Sequence, residues 1–228
     1  METHKKQFWD LMEEINSSSI NYVVVRGFLR LPNSADNDID LAPHYEQFDD
    51  CMEIIKRHLE KHWHREYGFA EYAFMNNYSY KTRGPDNNSI AEKRFYVDTD
   101  SSLFFSSPYK NYETTWVVSH GFNEYVYETK IKKTFEEGYI WIPSPENELT
   151  LQVLRNVLDK RGHWKQKSIN RVCDLLPLVD KQELVKSISL VLPCAKRVAD
   201  SLFDGDFASV NKYSLGGFLN GHYSKRSI

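Results

Sequence analysis

The sequence lacks any apolar run near the roughly eighteen residues that a membrane-spanning helix needs, and Met1-Glu2-Thr3-His4-Lys5-Lys6 is followed by no apolar signal segment. A soluble, intracellular and specifically cytoplasmic protein is the expectation, with no membrane partner. It also lacks a surplus of positive charge. With 29 Lys and Arg against 32 Asp and Glu, the formal net charge of −3 gives no electrostatic reason to expect a long nucleic acid as substrate, so a small acceptor is favoured. Cysteine is scarce: Cys51, Cys173 and Cys194 are odd in number, far apart and without metal-ligand spacing. They read as reduced, mostly buried thiols of a cytosolic chain. No histidine pair has zinc-site spacing, and His58, His62 and His64 read as surface residues. Internal repeats and low-complexity tracts are absent.

The hydrophobic share, 41%, and the charged share, 27%, are ordinary globular usage, and 228 residues can bury a core without staples. Periodicity orders the chain as an alternating first part and a helical tail. Phe8, Leu11, Met12 and Ile15 recur at helical spacing within Lys5 to Ile15. Ile20 to Arg26 is almost continuously apolar and β-branched, as in a strand buried on both faces. A second strand is expected over Asp38 to Ala42. Pro43 then opens a helix from about His44 to His62, with Phe48, Met52, Ile55 and Leu59 on one stripe. Aromatic-rich segments at Tyr67 to Tyr80, Arg94 to Phe105, Tyr125 to Ile131 and Tyr139 to Ile142 read as sheet. The polar stretch Arg83 to Ser89 reads as a hairpin loop. Ser144-Pro145-Glu146-Asn147 is an N-cap followed by proline at the first helical position, and helix is expected onward to about Phe203. The glycine-rich tail from Gly216 reads as loosely ordered. The composition changes near residue 143, dividing a core over 1–143 from a C-terminal helical domain over 144–228. The fold class is α/β (α+β), a mixed sheet flanked by helices with a helical region after it.

One constellation carries chemistry. Strand Tyr22 to Arg26 ends at Gly27-Phe28, a polar loop follows from Pro32 to Asn37, and then comes Asp38-Ile39-Asp40-Leu41. Residues i and i+2 of a strand share a face, so Asp38 and Asp40 can present their carboxylates side by side while Ile39 and Leu41 pack inward. Two carboxylates that close repel, and a divalent cation is the natural occupant. Arg26, the cation in that turn, could pair with one of the aspartates or grip phosphate oxygens bidentately.

A strand, a glycine turn, a polar loop and an Asp-apolar-Asp pair resemble the core of the nucleotidyltransferase superfamily of the DNA polymerase beta type, in its small bacterial and antibiotic-modifying forms. The resemblance implies a nucleotidyltransferase-like sheet and a third carboxylate on a later strand. Phe95-Tyr96-Val97-Asp98 is the best match, with Asp100 as rival. It implies Asp38, Asp40 and Asp98 as catalytic and metal-binding residues, Mg²⁺ or Mn²⁺ as cofactor, and an NTP and a small-molecule acceptor as partners. The family usually has Gly-Ser or Gly-Gly at the turn. Here Gly27-Phe28 lacks the serine hydroxyl, and Arg26 or a backbone amide of the turn takes its role. Arg26, Gly27 and Lys160 are the nucleotide-binding candidates, although Lys130, Arg155, Lys160 and Arg161 each read first as solvated cations. Segments Glu146 to Lys160 and Ile169 to Leu176 are similar to the helices that follow the family's core.

The implied reaction is in-line attack of an acceptor hydroxyl or phosphate on the α-phosphorus, with pyrophosphate leaving and Asp98 as general base. Two other classes remain: a non-catalytic protein of this fold that binds a nucleotide or a partner, and an interaction protein whose 14 tyrosines and 5 tryptophans form an adhesive surface. The turn supplies a first test. Gly27→Val should weaken nucleotide binding more than a surface change would, because a β-branched side chain blocks close backbone approach to phosphate; normal nucleotide titrations of that variant would contradict the assignment.

Overall fold

The structure, a computed structural model, describes residues 2–26, 28–31, 39–62, 64–72, 75–83, 90–100, 103–106, 114–215 and 221–225. Of residues 2–5, 7, 30, 39, 59–62, 64–72, 75–83, 90–100, 104, 106, 114–117 and 221–225 the backbone alone is described. The chain is α/β and forms two compact units, one of Met1–Ser102 with Lys130–Ile142 and the other of Leu103–Thr129 with Pro143–Arg226.

The first unit opens with helix α1 (Glu2–Ser17) and strand β1 (Tyr22–Arg26). Strand β2 (Ile39–Pro43), helix α2 (Phe48–His62), strands β3 (His64–Tyr72), β4 (Met75–Arg83) and β5 (Ile90–Asp100) follow. They form one mixed sheet in the order β1-β2-β5-β4-β3, antiparallel except where β2 runs parallel to β5. The expected apolar stripe of α1 is the face it buries: Phe8, Leu11, Met12 and Ile15 are at most 2% exposed. Tyr22, Val23 and Val24 are all buried, which places β1 between packed layers on both of its faces. From α2, Met52 and Ile55 enter the same core, and Phe48 packs at its margin. The hairpin β8 (Ile131–Thr134) and β9 (Tyr139–Ile142) belongs to this unit, adding Ile140 and Ile142 to its core.

The second unit holds strands β6 (Phe104–Ser106) and β7 (Thr114–Val118), helix α3 (His120–Glu128), helices α4 (Pro145–Leu154), α5 (Gln166–Leu175), α6 (Lys181–Ser189), α7 (Ala195–Phe203) and α8 (Phe207–Leu215), and strand β10 (Gly221–Lys225). Ser144 caps α4 as its sequence position promises, accepting a hydrogen bond from the Asn147 N–H, with Pro145 in the first turn. Asn147, Thr150 and Ser187 are fully buried polar residues that satisfy one another. Ser187 Oγ donates to Asn147 Oδ1 at 2.7 Å, Thr150 Oγ1 and Ser187 Oγ are 2.7 Å apart, and Asn147 Nδ2 donates to Thr129 Oγ1 at 2.7 Å. Glu148, 5% exposed, receives two Arg171 guanidinium bonds of 2.6 Å each.

Three expectations change here. Tyr125 to Ile131 is not a strand: α3 runs to Glu128, because Ser119 accepts from the Phe122 N–H and Phe122 and Val126, four apart, are buried on one face. The tail is ordered where it is described, since Gly221–Lys225 pairs antiparallel with β7 in the order β10-β7-β6. Of the cysteines, Cys51 is buried, whereas Cys173 is exposed and Cys194 intermediate; all three are free thiols. The expected hairpin loop falls on residues 84–89, outside the described residues. No described helix is long and apolar enough to cross a membrane.

After α4 the helix widens into a π-helical turn, Arg155–Asp159, in which the Lys160 N–H reaches back to the Arg155 carbonyl at 3.0 Å. The chain leaves it through two successive left-handed residues, Arg161 at φ +54° and Gly162 at φ +77°. Asn211 holds that exit, donating to the Gly162 carbonyl at 2.8 Å while accepting from Trp164 Nε1 at 2.9 Å. A Cβ on Gly162 would meet Asn211 Nδ2 at 2.7 Å. Gly162→Ala therefore combines backbone strain with a clash and should destabilise by more than about 1 kcal/mol. Urea titration of the variant should show a lower midpoint at unchanged slope; a midpoint equal to wild type would refute the clamp.

Candidate functional site

The site grows out of an irregularity in β1. Tyr22, Val23 and Val24 pair with Pro43, Ala42 and Leu41, but the next register pair is Arg26 with Asp40, so Val25 is an extra residue. Such a bulge shifts the strand by one residue, and a one-residue shift exchanges the faces of everything after it. Without it, Val25 would lie opposite Asp40. With it, Arg26 does, and its Nη2 meets Asp40 Oδ1 at 2.5 Å.

The two partners are unequally wet: the Asp40 side chain is 6% exposed and that of Arg26 is 42%. A half-exposed ion pair adds about 0–1 kcal/mol of its own. Removing the arginine is a different matter, because the carboxylate would remain buried and short of its cation, a loss that runs to several kcal/mol for fully buried pairs and less here because water reaches Arg26. The pair therefore acts chiefly as the condition under which an acid can stand at this point of the sheet.

On its other side β2 meets β5 in parallel, with Ile39 against Val97, Asp40 against Asp98 and Leu41 against Thr99. Adjacent strands lie about 4.8 Å apart, so the backbones of the two acids are immediate neighbours. Asp100 aligns with Met75 of β4 and lies beyond the last β2–β5 pair. The Asp98 side chain, and all of Asp38 and Gly27, lie outside what is described. Among the described residues no three His, Cys, Asp or Glu side chains are grouped to hold a metal ion. Lys160 is exposed in the second unit, just after the π-helical turn.

Two residues read as solvated are not. His58 is 5% exposed and its Nδ1 lies 3.4 Å from Glu14 Oε2. Glu14 also binds Arg57, whose hydrogen bond holds its carboxyl below the usual value; this stabilisation is present above pH 4.5 and lost as pH falls below it. Lys130 is half-buried: its Nζ donates to Asn21 Oδ1 and, at 3.3 Å, to the Tyr22 carbonyl, and it lies 4.8 Å from the Trp141 ring centroid. Its neighbours on β8 lean on aromatic rings as well. Lys132 Nζ lies 3.7 Å from the Tyr139 centroid, and Lys133 Nζ 5.4 Å from that of Phe28 and 5.3 Å from that of Phe135. The signal was the run Lys130-Ile131-Lys132-Lys133 opposite Tyr139-Ile140-Trp141, basic residues facing aromatics across a hairpin.

No protein-family model matches the chain, and neither does any curated protein. The chain is similar in structure to an antigenic nucleotidyltransferase-like protein from Paracoccidioides brasiliensis, with 15% identity and a TM-score of 0.49 over 92% of this chain and 93% of that one.

Burial pushes the Lys130 ammonium down to about 8 from 10.5. Between those values the unfolded chain holds a proton that the folded protein has shed, so this group makes stability rise with pH. Burial of the Cys51 thiol, pushed up to about 12 from 9.0, works in the opposite direction over the alkaline range. Lys130→Met should therefore remove a rising component between pH 8 and 10.5 when its unfolding free energies are compared with wild type pH by pH; parallel curves would show that Lys130 is not buried as described.

Proposed function

We propose that the chain is a metal-dependent nucleotidyltransferase of the polymerase beta superfamily. It would transfer a nucleoside monophosphate from an NTP to a hydroxyl or phosphate of a small acceptor. The observation that supports this most is the alignment of Asp40 with Asp98 on parallel strands, with Arg26 pairing Asp40 from the neighbouring strand. Residues that pair a buried acid with a cation beside a second acid suit phosphoryl chemistry, which consists largely of positioning and charge stabilisation. The three free cysteines fit a cytoplasmic location.

In this reaction the acceptor oxygen forms a bond to the α-phosphorus, the bond from that phosphorus to the bridging oxygen breaks, and pyrophosphate leaves with the electron pair. Asp98 takes the proton of an acceptor hydroxyl. Arg26 and the backbone at Gly27 receive the phosphates. The donor set suits a hard cation, because Asp38, Asp40 and Asp98 all carry carboxylates, which are hard oxygen donors. Asp38, Asp40 and Asp98 would hold Mg²⁺ or Mn²⁺. When bound, that ion supplies electrostatic stabilisation of charge on the phosphates.

A second reading has one observation in its favour. Arg26 is already committed to Asp40, an arrangement that also suits a protein that binds a nucleotide without turning it over.

Calorimetric titration with ATP, CTP, GTP and UTP, with and without Mg²⁺, together with pyrophosphate release in the presence of candidate acceptors, tests both. Metal-dependent binding of a nucleotide is expected. Asp38→Asn and Asp98→Asn should lower turnover by about 10²-fold or more at unchanged melting temperature, whereas Asp40→Asn should lower both turnover and stability because Arg26 loses its charged partner. Binding without pyrophosphate release would favour the second reading, and silence for all four nucleotides would overturn both.

A further inference from the structure

Strand register draws one line of polar residues across four strands of the first unit. Arg26 of β1 pairs with Asp40 of β2, Asp40 with Asp98 of β5, and Asp98 with Asn77 of β4; the next position, on β3, is Ala70. Positions directly opposite one another share a face of the sheet, and β4 and β5 stay in step from Met75 with Asp100 to Lys81 with Arg94. Asn77 therefore stands on the face of Asp98 and Asp40. The adjacent line, on the other face, is apolar and aromatic: Ile39, Val97 and Tyr78.

Each acid in this line has a donor residue on its outer side, an arginine beside Asp40 and an asparagine beside Asp98. Two neighbouring carboxylates repel, and an amide can donate an N–H to one of them without adding charge to the site. Cβ atoms of residues opposite one another on antiparallel strands lie about 4.5–5.5 Å apart, a span that an amide and a carboxylate can bridge with one hydrogen bond. We propose that Asn77 is a positioning residue, whose amide donates to the Asp98 carboxylate across the β4–β5 pair and fixes the orientation in which Asp98 acts. The kinetic role rests on the nucleotidyltransferase reading; the pairing itself does not. Asn76, the adjacent asparagine, is in register with Thr99 on the opposite face and serves as a control of the same chemistry one residue away.

A double-variant cycle on urea unfolding of the full chain, with EDTA present so that no metal contributes, tests the pairing with Asn77→Ala, Asp98→Ala and both together. Each single variant loses the same bond and the double variant loses it only once. The combined change in the unfolding equilibrium constant should therefore fall short of the product of the single changes by about threefold or more, whereas Asn76→Ala with Asp98→Ala should multiply to within about twofold. Pyrophosphate release from ATP, CTP, GTP and UTP with Mg²⁺ and candidate acceptors tests the role. Asn77→Ala, and Asn77→Asp, which keeps the size but has no N–H to donate, should lower kcat by about 10- to 100-fold while KM for the nucleotide stays within about threefold of wild type. Asn76→Ala should stay within about twofold in both, and Asn77→Asp carries the kinetic test where Asn77→Ala does not fold. An Asn77–Asp98 cycle that multiplies, an unchanged kcat in the Asn77 variants, or an equal loss in Asn76→Ala overturns the inference and leaves the nucleotidyltransferase reading standing. If wild type releases no pyrophosphate from any nucleotide, that reading fails, and the cycle alone decides the pairing.

Discussion

An ionised carboxylate in the middle of a sheet is tolerated only when a cation and hydrogen bonds replace the water it gave up, and the placement of Asp40 depends on that condition. Arg26 meets it across the β1–β2 pair, and does so only because Val25 is bulged out of register. The preceding residues of β1 are pure core, with Tyr22, Val23 and Val24 fully buried, while the residue after the bulge is a cation that reaches the surface. One extra residue thus divides a strand into a part that packs and a part that carries charge. The conserved quantity in this arrangement is electrostatic neutrality around a buried acid, and the site geometry follows from how it is maintained.

The second unit solves the same problem without net charge at its centre. Asn147, Thr150, Ser187 and Thr129 close a chain of hydrogen bonds of 2.7 Å, so that buried polar atoms add specificity to helix packing rather than an unpaid desolvation cost. Glu148 and Arg171 form the charged counterpart, with a forked guanidinium contact that fixes α5 against α4.

Elements with a strong single periodicity were legible in the sequence. Phe8, Leu11, Met12 and Ile15 announce α1, the β-branched run announces β1, and Ser144-Pro145 announces α4, because each rests on local side-chain chemistry. Tyr125-Val126-Tyr127 misled because alternating aromatic and β-branched residues favour strand locally, while burial of Phe122 and Val126 together demands helix. The strand at Gly221–Lys225 exists through pairing with β7, about a hundred residues earlier, and His58 is buried because Glu14 lies on another helix. Neither partner has a local signature. At the site, the aspartate pattern and Arg26 were legible as a motif. The bulge that sets Arg26 opposite Asp40, and the lysines of β8 set against aromatic rings, depend on register and hairpin return.

The parallel pairing of β2 with β5 also has a kinetic meaning. Asp40 and Asp98 are 58 positions apart, and α2, β3 and β4 are made between them. Parallel neighbours cannot be joined by a tight turn, so the entropy of closing this long loop is spent before the two acids become neighbours. Antiparallel β4 and β5, nearer in sequence, can zip first and carry Asp98 to the edge that β2 occupies. A chain still emerging from the ribosome holds Arg26 and Asp40 long before it holds Asp98, so the first pair has an opportunity to form as an ion pair before the second acid arrives.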